Sequence, residues 1–412
     1  MNATNAHDRH SNIPTGNSTP TDRLAAIRAA IDATDAALLE LFNRRAALSI
    51  EVGRIKASEP GIIFKPLRER EVMDNLVLSN AGPLPEEHLR TIWREIFSSS
   101  RVLQRPQNVA YLGPEGTFSY FAGVEYLGHT VSFHSCCDIS RVFEEITSGR
   151  CELGVVPLEN SLQGTVGVSF DLFLKHDVFI QAELFSRISH CLLSNARSLA
   201  AIDVVYSHPQ PLAQCGSWLR THLPNAGLAP VESTAAAAHR AATQNNAAAI
   251  GHGKLADITG LAVLARSIED EQNNWTRFVI IGPKAAQQRQ GVPRPSAGAG
   301  ADKTSMLFTL PDKAGALSAV LELLAKNGIN MRKLESRPLR GQCWRYVFFT
   351  DVESDLAAPQ HASLLAQLHE VCTSFRILGS YPTGPQLDRP NSDKDKAGDT
   401  PGTMHHDKNN AF

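Results

Sequence analysis

The amino-acid sequence predicts a multidomain protein with an all-α unit, an α/β unit and a small α+β unit. The chain has 412 residues, which is enough for two to four domains. Residues 21–105 are rich in helical patterns, whereas residues 106–283 alternate short apolar strands with helices. A stretch rich in Gly, Pro and Ala over 284–302 predicts a linker, and a second, smaller mixture of strands and helices covers 303–383. The polar segments 1–20 and 384–412 predict disordered tails.

The composition argues against several classes of function. The formal net charge is −2, so no general attraction to nucleic acid or to an anionic membrane is expected. Seven Cys occur without a CxxC pair or zinc-site spacing, which favours reduced thiols and no metal site. The first twenty residues contain no secretory signal, and no apolar run approaches the roughly 20 residues of a membrane span. We therefore expect a cytoplasmic protein without a cofactor.

A continuous seam of one long helix runs through the first unit. Positions 24, 28, 31, 35, 38, 42, 45, 49, 52 and 56 alternate steps of four and three residues, and three of them are cations: Arg28, Arg45 and Lys56. Either their long side chains reach solvent, or they bind a small polyanion. Arg28 and Arg45 would lie about 25 Å apart on a straight helix, too far to hold one small molecule together. An antiparallel second copy would bring its Arg28 toward Arg45, which predicts a dimer with shared sites.

The segment LAAIRAAIDATDAALLELFNRRAALSIEVGRIK, with RERE and SSSRVLQ farther along, resembles the all-helical chorismate mutases over nearly all of residues 21–105. The resemblance implies a homodimer in which each site takes Arg28 from the neighbouring chain. Arg45 would bind a substrate carboxylate, and Lys56 and Gln104 would hydrogen-bond the ether oxygen. The residues implied to complete the site are Arg68, Glu69 and Ser100.

The reaction implied for this unit is the pericyclic rearrangement of chorismate to prephenate. It needs no nucleophile or proton transfer, only a compact conformer and stabilisation of charge at the breaking C–O bond, which suits fixed cations and amides. Glu69 is expected near the ring hydroxyl. Lys65 stands three residues before Arg68, where some family members have an Asp, and we expect the added positive charge to alter recognition of that hydroxyl.

Polar residues crowd the ends of four predicted strands in the second unit. The glycine turn in GPEGTFS offers backbone N–H groups at a helix start. VPLENS and YSHPQ each end an apolar strand with polar residues, and NNWTRF over 273–278 precedes the apolar VIIG. Each loop alone is explained by turn chemistry. Four together are typical of a cleft in an α/β protein, where ligands bind at strand ends or between lobes.

The motifs GPEGTFS, VPLENS, SHPQ, AAIG and NNWTRF stand in the order found in prephenate dehydratases, which residues 106–283 closely resemble. The resemblance implies two α/β lobes like those of type II periplasmic binding proteins, with the site between them. Prephenate would lose CO₂ and water to give phenylpyruvate, with Thr276 donating a hydrogen bond to the leaving hydroxyl. Arg277, with the turn at Thr117, would hold a carboxylate, and a structural ion pair is the alternative for Arg277. The residues implied to orient the substrate are Asn160, Ser161, Ser207 and Gln214.

The order of elements in residues 303–383 is βαββαβ, which predicts an open-faced, ferredoxin-like unit. The loop DKAGALS opens a helix, a feature of carboxylate sites and equally of ordinary helix starts. The motifs GALS and ESRP make this unit similar to ACT regulatory domains. The resemblance implies that L-phenylalanine binds across a dimer interface. The residues implied to bind it are Gly315, Ala316, Leu317, Ser318, Glu335, Ser336, Arg337 and Pro338.

Together the resemblances predict an enzyme that converts chorismate to prephenate and prephenate to phenylpyruvate, under feedback inhibition by L-phenylalanine, in a homodimer or a larger homo-oligomer. Two alternatives remain open at this point. One is a dehydratase of prephenate or arogenate whose mutase unit has degraded to a dimerisation helix. The other is a non-catalytic amino-acid sensor, since binding-protein lobes and an ACT unit are enough to bind a ligand.

Overall fold

The computed structural model describes residues 19–57, 63–284, 302–339 and 344–387. The predicted N-terminal tail up to residue 18, the predicted linker over 285–301 and the predicted C-terminal tail from 388 onward lie outside the described residues. Within the described ranges, no helix combines the length and the apolar composition that crossing a membrane requires. The predicted fold classes of the three units are confirmed.

Three helices form the N-terminal unit: α1 (Pro20–Lys56), α2 (Pro66–Ser79) and α3 (Glu86–Gln104). A capping box starts α1, because the Thr19 hydroxyl accepts from the Asp22 N–H and the Asp22 carboxylate accepts from the Thr19 N–H, each at 3.2 Å. α1 has 37 residues and α3 has 19, so α3 covers at most about half of α1. Apolar residues of α1 consequently remain exposed, among them Leu24 at 48%, Ile31 at 52% and Leu38 at 43%.

The first lobe of the central unit is built on a sheet whose first three strands are parallel. Its elements are β1 (Asn108–Leu112), α4 (Phe118–Leu127), β2 (Ser132–Cys136), α5 (Ile139–Thr147), β3 (Leu153–Asn160), β4 (Gly164–Thr165), α6 (Gly167–Lys175) and β5 (Phe179–Arg187). β1 pairs in parallel with β2 and with β3. The apolar runs of β1 and β3 are buried, as expected for strands covered on both faces.

The second lobe follows after the chain leaves the first sheet at residues 188–190. Its elements are β6 (Cys191–Ser194), β7 (Val204–Ser207), α7 (Pro209–Gln214), α8 (Gly216–His222), β8 (Gly227–Pro230), α9 (Thr234–Ala242), β9 (Ala247–Gly251), α10 (Leu255–Thr259) and β10 (Ala262–Ala265). The strand order is β10-β6-β9-β7-β8. The chain then returns to the first lobe as β11 (Trp275–Gly282), which lies antiparallel between β3 and β5. Two crossover segments therefore connect the lobes, as predicted for a cleft between them.

The C-terminal unit has the predicted βαββαβ order. Its elements are β12 (Lys303–Thr309), α11 (Ala316–Lys326), β13 (Met331–Pro338), β14 (Tyr346–Val352), α12 (Ala362–Val371) and β15 (Ser374–Tyr381). They form an antiparallel sheet of order β13-β14-β12-β15.

The folded chain continues beyond the predicted boundary at residue 383. A short strand, β16 (Gln386–Leu387), pairs in parallel with β5 of the first lobe, although the sequence assigned these residues to the tail. Gly384 permits this approach, because a Cβ there would collide with the carbonyl oxygen of Glu183. The pair Gln386 and Leu387 is too short to show a strand pattern in the sequence. These residues form a strand only because they pair with the edge of β5.

The C-terminal unit packs the open face of its sheet on the first lobe. Phe170 and Ile180 of the lobe share one buried apolar cluster with Phe349, Leu378 and Tyr381 of the C-terminal sheet. The Phe170 and Phe349 rings meet edge to face, with centroids 4.4 Å apart and planes at 80°. This shared core, to which α5 and α6 of the lobe also contribute, makes the two units one packed body.

Candidate active site

The side chain of Asn160 holds Thr276 at the start of β11. Thr276 pairs in register with Asn160, because β11 lies directly beside the end of β3. The Asn160 amide donates to Thr276 Oγ1 at 2.9 Å and to Asn274 Oδ1 at 2.7 Å, and all three side chains are buried. The side-chain oxygen Oδ1 of Asn160 accepts from the backbone N–H groups of Leu162 and Gln163 at 3.1 and 3.0 Å. Thr276 Oγ1 thus already has a donor, so its own hydroxyl hydrogen is free to point at another acceptor.

Ser161 ties the NNWTRF segment to the end of β3. Its hydroxyl donates to the Asn273 carbonyl at 3.0 Å and accepts from the Trp275 N–H at 2.9 Å, while the Ser161 N–H donates to the Trp275 carbonyl at 2.8 Å. Its hydroxyl is therefore used by the loop itself. Ser161 thus shapes the segment that carries Thr276, and its part in orienting the substrate stays a prediction.

Thr117 caps the helix that follows the glycine turn. Its hydroxyl donates to the Leu112 carbonyl at 2.9 Å and accepts from the Tyr120 N–H at 3.4 Å. Gly116 has a φ of +88°, and a Cβ there would collide with Leu255 of the second lobe. Glycine suits this position because the turn packs closely against the second lobe and has a positive φ.

The second lobe places Ser207 and Gln214 at the opposite side of the cleft. Ser207 is fully buried and donates to the Ile250 carbonyl at 2.8 Å. Gln214 Oε1 lies 2.9 Å from Nε2 of His190, a residue of the first crossover segment that is 1% exposed. The aromatic ring of Phe118, next to Thr117, meets the His190 ring edge to face, with centroids 5.5 Å apart. Residues of both lobes and of a crossover thus meet around His190.

Arg277 faces away from Thr276, because successive side chains of a strand point to opposite faces. Its Nε lies 2.8 Å from Glu183 Oε2, Nη1 lies 2.5 Å from Asp351 Oδ2, and Nη2 donates to the Tyr381 hydroxyl at 3.0 Å. Burial alone would lower the pKa of Arg277, but these neighbours raise it overall, so the guanidinium stays charged. Arg277 is 5% exposed and lies at the interface with the C-terminal unit. The ion-pair alternative describes Arg277 here, because its guanidinium is directed to the interface with the C-terminal unit.

Three of the residues predicted for the N-terminal site lie together between α1 and α3. Arg45 donates to the Ser100 hydroxyl, and its guanidinium lies 5.9 Å from the Phe97 ring centroid. Gln104 donates to the Ser100 carbonyl at 3.1 Å. Burial lowers the pKa of Arg45, and the charge of Glu69 opposes that shift. A fixed guanidinium beside an amide is the arrangement that stabilises a developing negative charge.

Within one chain, the other cations predicted for this site are exposed and do not join the Arg45–Ser100–Gln104 group. Arg28 and Lys56 are exposed on α1, and the Arg68 side chain is 67% exposed with its Nη1 2.7 Å from Glu71 Oε2. Burial and then the charge of Lys56 lower the pKa of Lys65, which places two cations near each other at the end of α1.

Glu69 has a partner that the sequence did not indicate. It forms an ion pair with Arg101, whose side chain is 3% exposed and also donates to the Leu127 carbonyl of the first lobe. Arg101 therefore links the predicted site to the neighbouring unit, and the charge of Glu69 also acts on Arg45.

The ESRP motif, predicted with GALS to bind L-phenylalanine, presents its side chains on two faces of the sheet. Gly315 has a φ of +80° and precedes α11, where Ala316 is buried, Leu317 is half-buried and Ser318 is exposed. In β13 the side chains alternate, so Glu335 contacts the Thr165 hydroxyl while Ser336 and Pro338 are exposed on the other face. Arg337 Nε lies 3.6 Å from Asp171 Oδ1 of the first lobe. The structure thus directs Glu335 and Arg337 toward the first lobe and leaves Ser336 and Pro338 on the side of the sheet that carries α11.

Three protein-family models match the chain: chorismate mutase type II over residues 27–105, prephenate dehydratase over 109–286 and the ACT domain over 304–370. The chain is 40% identical over 367 residues to the bifunctional chorismate mutase/prephenate dehydratase of Stutzerimonas stutzeri, covering 88% of this chain and 98% of that relative. The chain belongs to the bifunctional chorismate mutase/prephenate dehydratase family. Its three units are accordingly the mutase, dehydratase and ACT domains.

Two solved structures resemble about two thirds of the chain. The prephenate dehydratase of Arthrobacter aurescens, solved in complex with L-Phe, is 31% identical with a TM-score of 0.58, covering 67% of this chain and 90% of that one. GqqA, described as a novel type of quorum quenching acylase, is 30% identical with a TM-score of 0.60, covering 68% of this chain and 98% of that one. The extent of both matches agrees with the combined size of the dehydratase and ACT domains.

Sequence reasoning missed two buried residues of the dehydratase cleft. Asn274 is 1% exposed and, like Thr276, accepts a hydrogen bond from the Asn160 amide. Its position inside the polar motif NNWTRF was the sequence signal for a functional residue. His190 left a weaker signal, because a single His before the apolar strand of residues 191–194 is usually a core residue. Only the packing of the first crossover against the second lobe brings it to Gln214.

Proposed function

We propose that the mutase domain rearranges chorismate to prephenate and that the dehydratase domain converts prephenate to phenylpyruvate, with L-phenylalanine as the feedback inhibitor. The observation that carries the proposal is the buried Asn160–Thr276 hydrogen bond at the cleft, in a chain that also holds Arg45, Ser100 and Gln104 together. The match of a mutase family model to residues 27–105 favours this over a dehydratase with a degraded mutase domain.

In the proposed mutase reaction the protein supplies only shape and charge. Arg45 is held by Ser100 and Phe97, so it binds a substrate carboxylate without first losing conformational freedom. Gln104, with Lys56, stabilises the negative charge on the ether oxygen as the C–O bond breaks. Glu69 remains next to the site for the ring hydroxyl, and the nearby Lys65 changes the charge at that end of the site.

The mutase site is completed in our proposal by a second copy of the chain. α1 exposes apolar side chains along its length, and the seam of α1 places Arg28 about 25 Å from Arg45 in the same chain. An antiparallel α1 from a second chain would bury Leu24, Ile31 and Leu38 and bring its Arg28 to the site. A homodimer with shared mutase sites follows, in which each interface patch meets its own copy.

In the proposed dehydratase reaction, the ring carboxylate of prephenate leaves as CO₂ and its bonding electrons enter the ring. The ring then expels hydroxide, which takes up a proton and leaves as water, and the gain of aromaticity drives the step. The Asn160 amide occupies an acceptor position on Thr276 Oγ1, so the Thr276 hydrogen is available to the departing oxygen. Because a Thr hydroxyl is a poor acid, Thr276 acts as a hydrogen-bond donor in the transition state rather than as the source of the proton.

A short chain of contacts connects the proposed L-phenylalanine site to Thr276. β13, which carries the ESRP motif, also carries Lys333, whose Nζ lies 2.8 Å from Glu159 Oε1. Glu159 immediately precedes Asn160, the residue that donates to Thr276. If L-phenylalanine binds more tightly to one arrangement of β13 than to another, its binding would shift Lys333 and with it Glu159 at the end of β3. The Arthrobacter aurescens relative, solved with L-Phe, supports the choice of ligand.

The test of the proposed function is incubation of the full chain with chorismate, following prephenate and phenylpyruvate with and without L-phenylalanine. Both products should form in sequence, and L-phenylalanine should reduce the rate of phenylpyruvate formation. Phenylpyruvate from added prephenate but none from chorismate would contradict the mutase assignment. Binding of L-phenylalanine without any turnover would indicate the sensor instead, and faster turnover of arogenate than of prephenate would change the substrate.

A matched pair of variants tests the regulatory contact. Lys333→Met removes the ion pair to Glu159 and is expected to weaken inhibition by L-phenylalanine several-fold while the uninhibited enzyme stays active. Lys326→Met, at an exposed pair with Glu322 in α11, should leave the inhibition unchanged. Equal inhibition of all three proteins would remove Lys333 from the regulatory route.

A further inference from the structure

His190 occupies the first crossover segment, between β5 of the first lobe and β6 of the second. It is 1% exposed and is fixed from several sides. Its backbone N–H donates to Glu269 Oε2 at 2.8 Å, and Glu269 belongs to the second crossover segment. Its ring meets Phe118 of the first lobe and lies 2.9 Å from Gln214 Oε1 of the second. No other residue named for the cleft contacts both lobes and both crossovers in this way.

The protonation of His190 follows from its surroundings. Burial lowers the pKa of His190, and the smaller effects of Gln214 and Glu269 oppose the shift without cancelling it, so the ring is neutral at neutral pH. A neutral imidazole has one N–H, and Nδ1 is buried with no hydrogen-bond partner among the described residues. Placing the hydrogen on Nδ1 would leave a buried donor unpaired, so the hydrogen belongs on Nε2, which faces Gln214.

This tautomer determines which way the Gln214 amide points. The Nε2–H of His190 can donate only to the carbonyl oxygen of Gln214, so Oε1 is held against the ring at 2.9 Å. The NH₂ group of Gln214, which is half-exposed, is then directed away from His190 as a pair of donors. An unrestrained amide could turn and present its oxygen instead, which would repel a carboxylate.

We propose that His190 is a positioning residue of the dehydratase, which orients Gln214 so that its NH₂ group donates to a carboxylate of prephenate. The proposal rests on the dehydratase function and on the role of Gln214 in orienting the substrate. His190 does not touch the substrate itself. It acts through Gln214, and its own position is fixed by Phe118 of the first lobe and by Glu269 of the second crossover.

The experiment measures kcat and KM for prephenate in the full chain, with mutase activity of the same preparations as the control for folding. His190→Leu removes the donor and is expected to raise KM roughly tenfold, the usual effect of losing a hydrogen bond that supports a charged group, with a smaller change in kcat. His190→Gln can still donate from its amide to Gln214 and should keep KM within about threefold of wild type. His190→Asn is too short to reach Gln214 and should behave like His190→Leu. His239→Leu, at an exposed position of α9, should change neither constant.

A double-mutant cycle separates this proposal from the proposed function. Gln214→Leu alone should raise KM, and His190→Leu added to it should raise KM no further, because the imidazole acts only through that amide. Independent, multiplicative effects in the double variant would overturn the positioning role. So would an unchanged KM in His190→Leu and His190→Asn when Gln214→Leu raises it, and the dehydratase function would stand. If the wild-type chain forms no phenylpyruvate from prephenate, the function itself fails.

Discussion

Replacing Arg277 with Met would remove the cation at the centre of the interface between the dehydratase and ACT domains. The interface holds two cations and two carboxylates in close contact. Arg277 lies 2.8 Å from Glu183 and 2.5 Å from Asp351, and Lys303 lies 3.0 Å from Glu183 and 3.4 Å from Asp351. The side chains of Glu183 and Asp351 are 0% and 8% exposed, so water cannot compensate for a lost partner.

The expected loss follows from this charge balance. Removing one partner of a buried ion pair typically costs about 3–5 kcal/mol, because the remaining charge stays buried without compensation. Arg277→Met leaves two carboxylates and one cation, and Lys303 still contacts both carboxylates, so we expect the lower end of that range, about 3 kcal/mol. At about 2–4 °C per kcal/mol, the unfolding transition of the dehydratase and ACT domains should fall by about 6–12 °C.

Scanning calorimetry of the full chain measures this shift. The mutase transition, if resolved, serves as an internal reference, because a chain of several domains need not unfold in one step. Arg141→Met is the matched control: its side chain is 47% exposed beside Glu144 and Glu145, and it should change the midpoint by no more than about 2 °C. If Arg277→Met melts as close to wild type as Arg141→Met does, the buried ion network does not stabilise the interface and our reasoning is refuted.

Three further predictions concern the two catalytic domains and the acid stability of the chain. Thr276→Ala should lower the dehydratase rate about 100-fold or more while mutase activity stays near wild type, and an equal loss of both activities would contradict the assignment of domains. Arg28→Ala and Arg45→Ala should each abolish most mutase activity, and mixing the two after exchange of subunits should restore about a quarter of the wild-type rate, because half of the dimers are mixed and each has one intact site. No recovery on mixing would exclude shared sites. Burial alone would raise the pKa of Asp351, but Arg277 and Lys303 lower it overall. A lowered folded-state pKa gives stability that is complete above the ordinary value of about 4 and is lost as the pH falls through the folded-state pKa. The thermal midpoint should therefore drop steeply below about pH 4, and an equally steep drop in Asp351→Asn would sink this explanation.

Much of the architecture was predictable from local sequence patterns. The long seam of α1, the alternation of strands and helices in the dehydratase domain and the βαββαβ order of the ACT domain are periodicities that a short window of sequence carries. The motif NNWTRF likewise predicted the hydroxyl of Thr276 at the start of a strand. In the structure Thr276 accepts a hydrogen bond from Asn160, which lies 116 positions earlier in the chain.

Sequence alone determined the three units, their order and the residue types at each site; tertiary structure decided which face each residue serves. Thr276 and Arg277 are neighbours in the chain, and only the packing of the ACT sheet on one face of β11 directs Arg277 into an interface and leaves Thr276 to the cleft. The alternation of β13 similarly turns Glu335 toward the dehydratase domain and Ser336 away from it. Gln214 lies 24 positions after His190, and their contact depends on how the first crossover packs on the second lobe. Local patterns report the period of an element, whereas contacts between distant residues depend on how whole faces pack, and no single stretch of sequence contains that information.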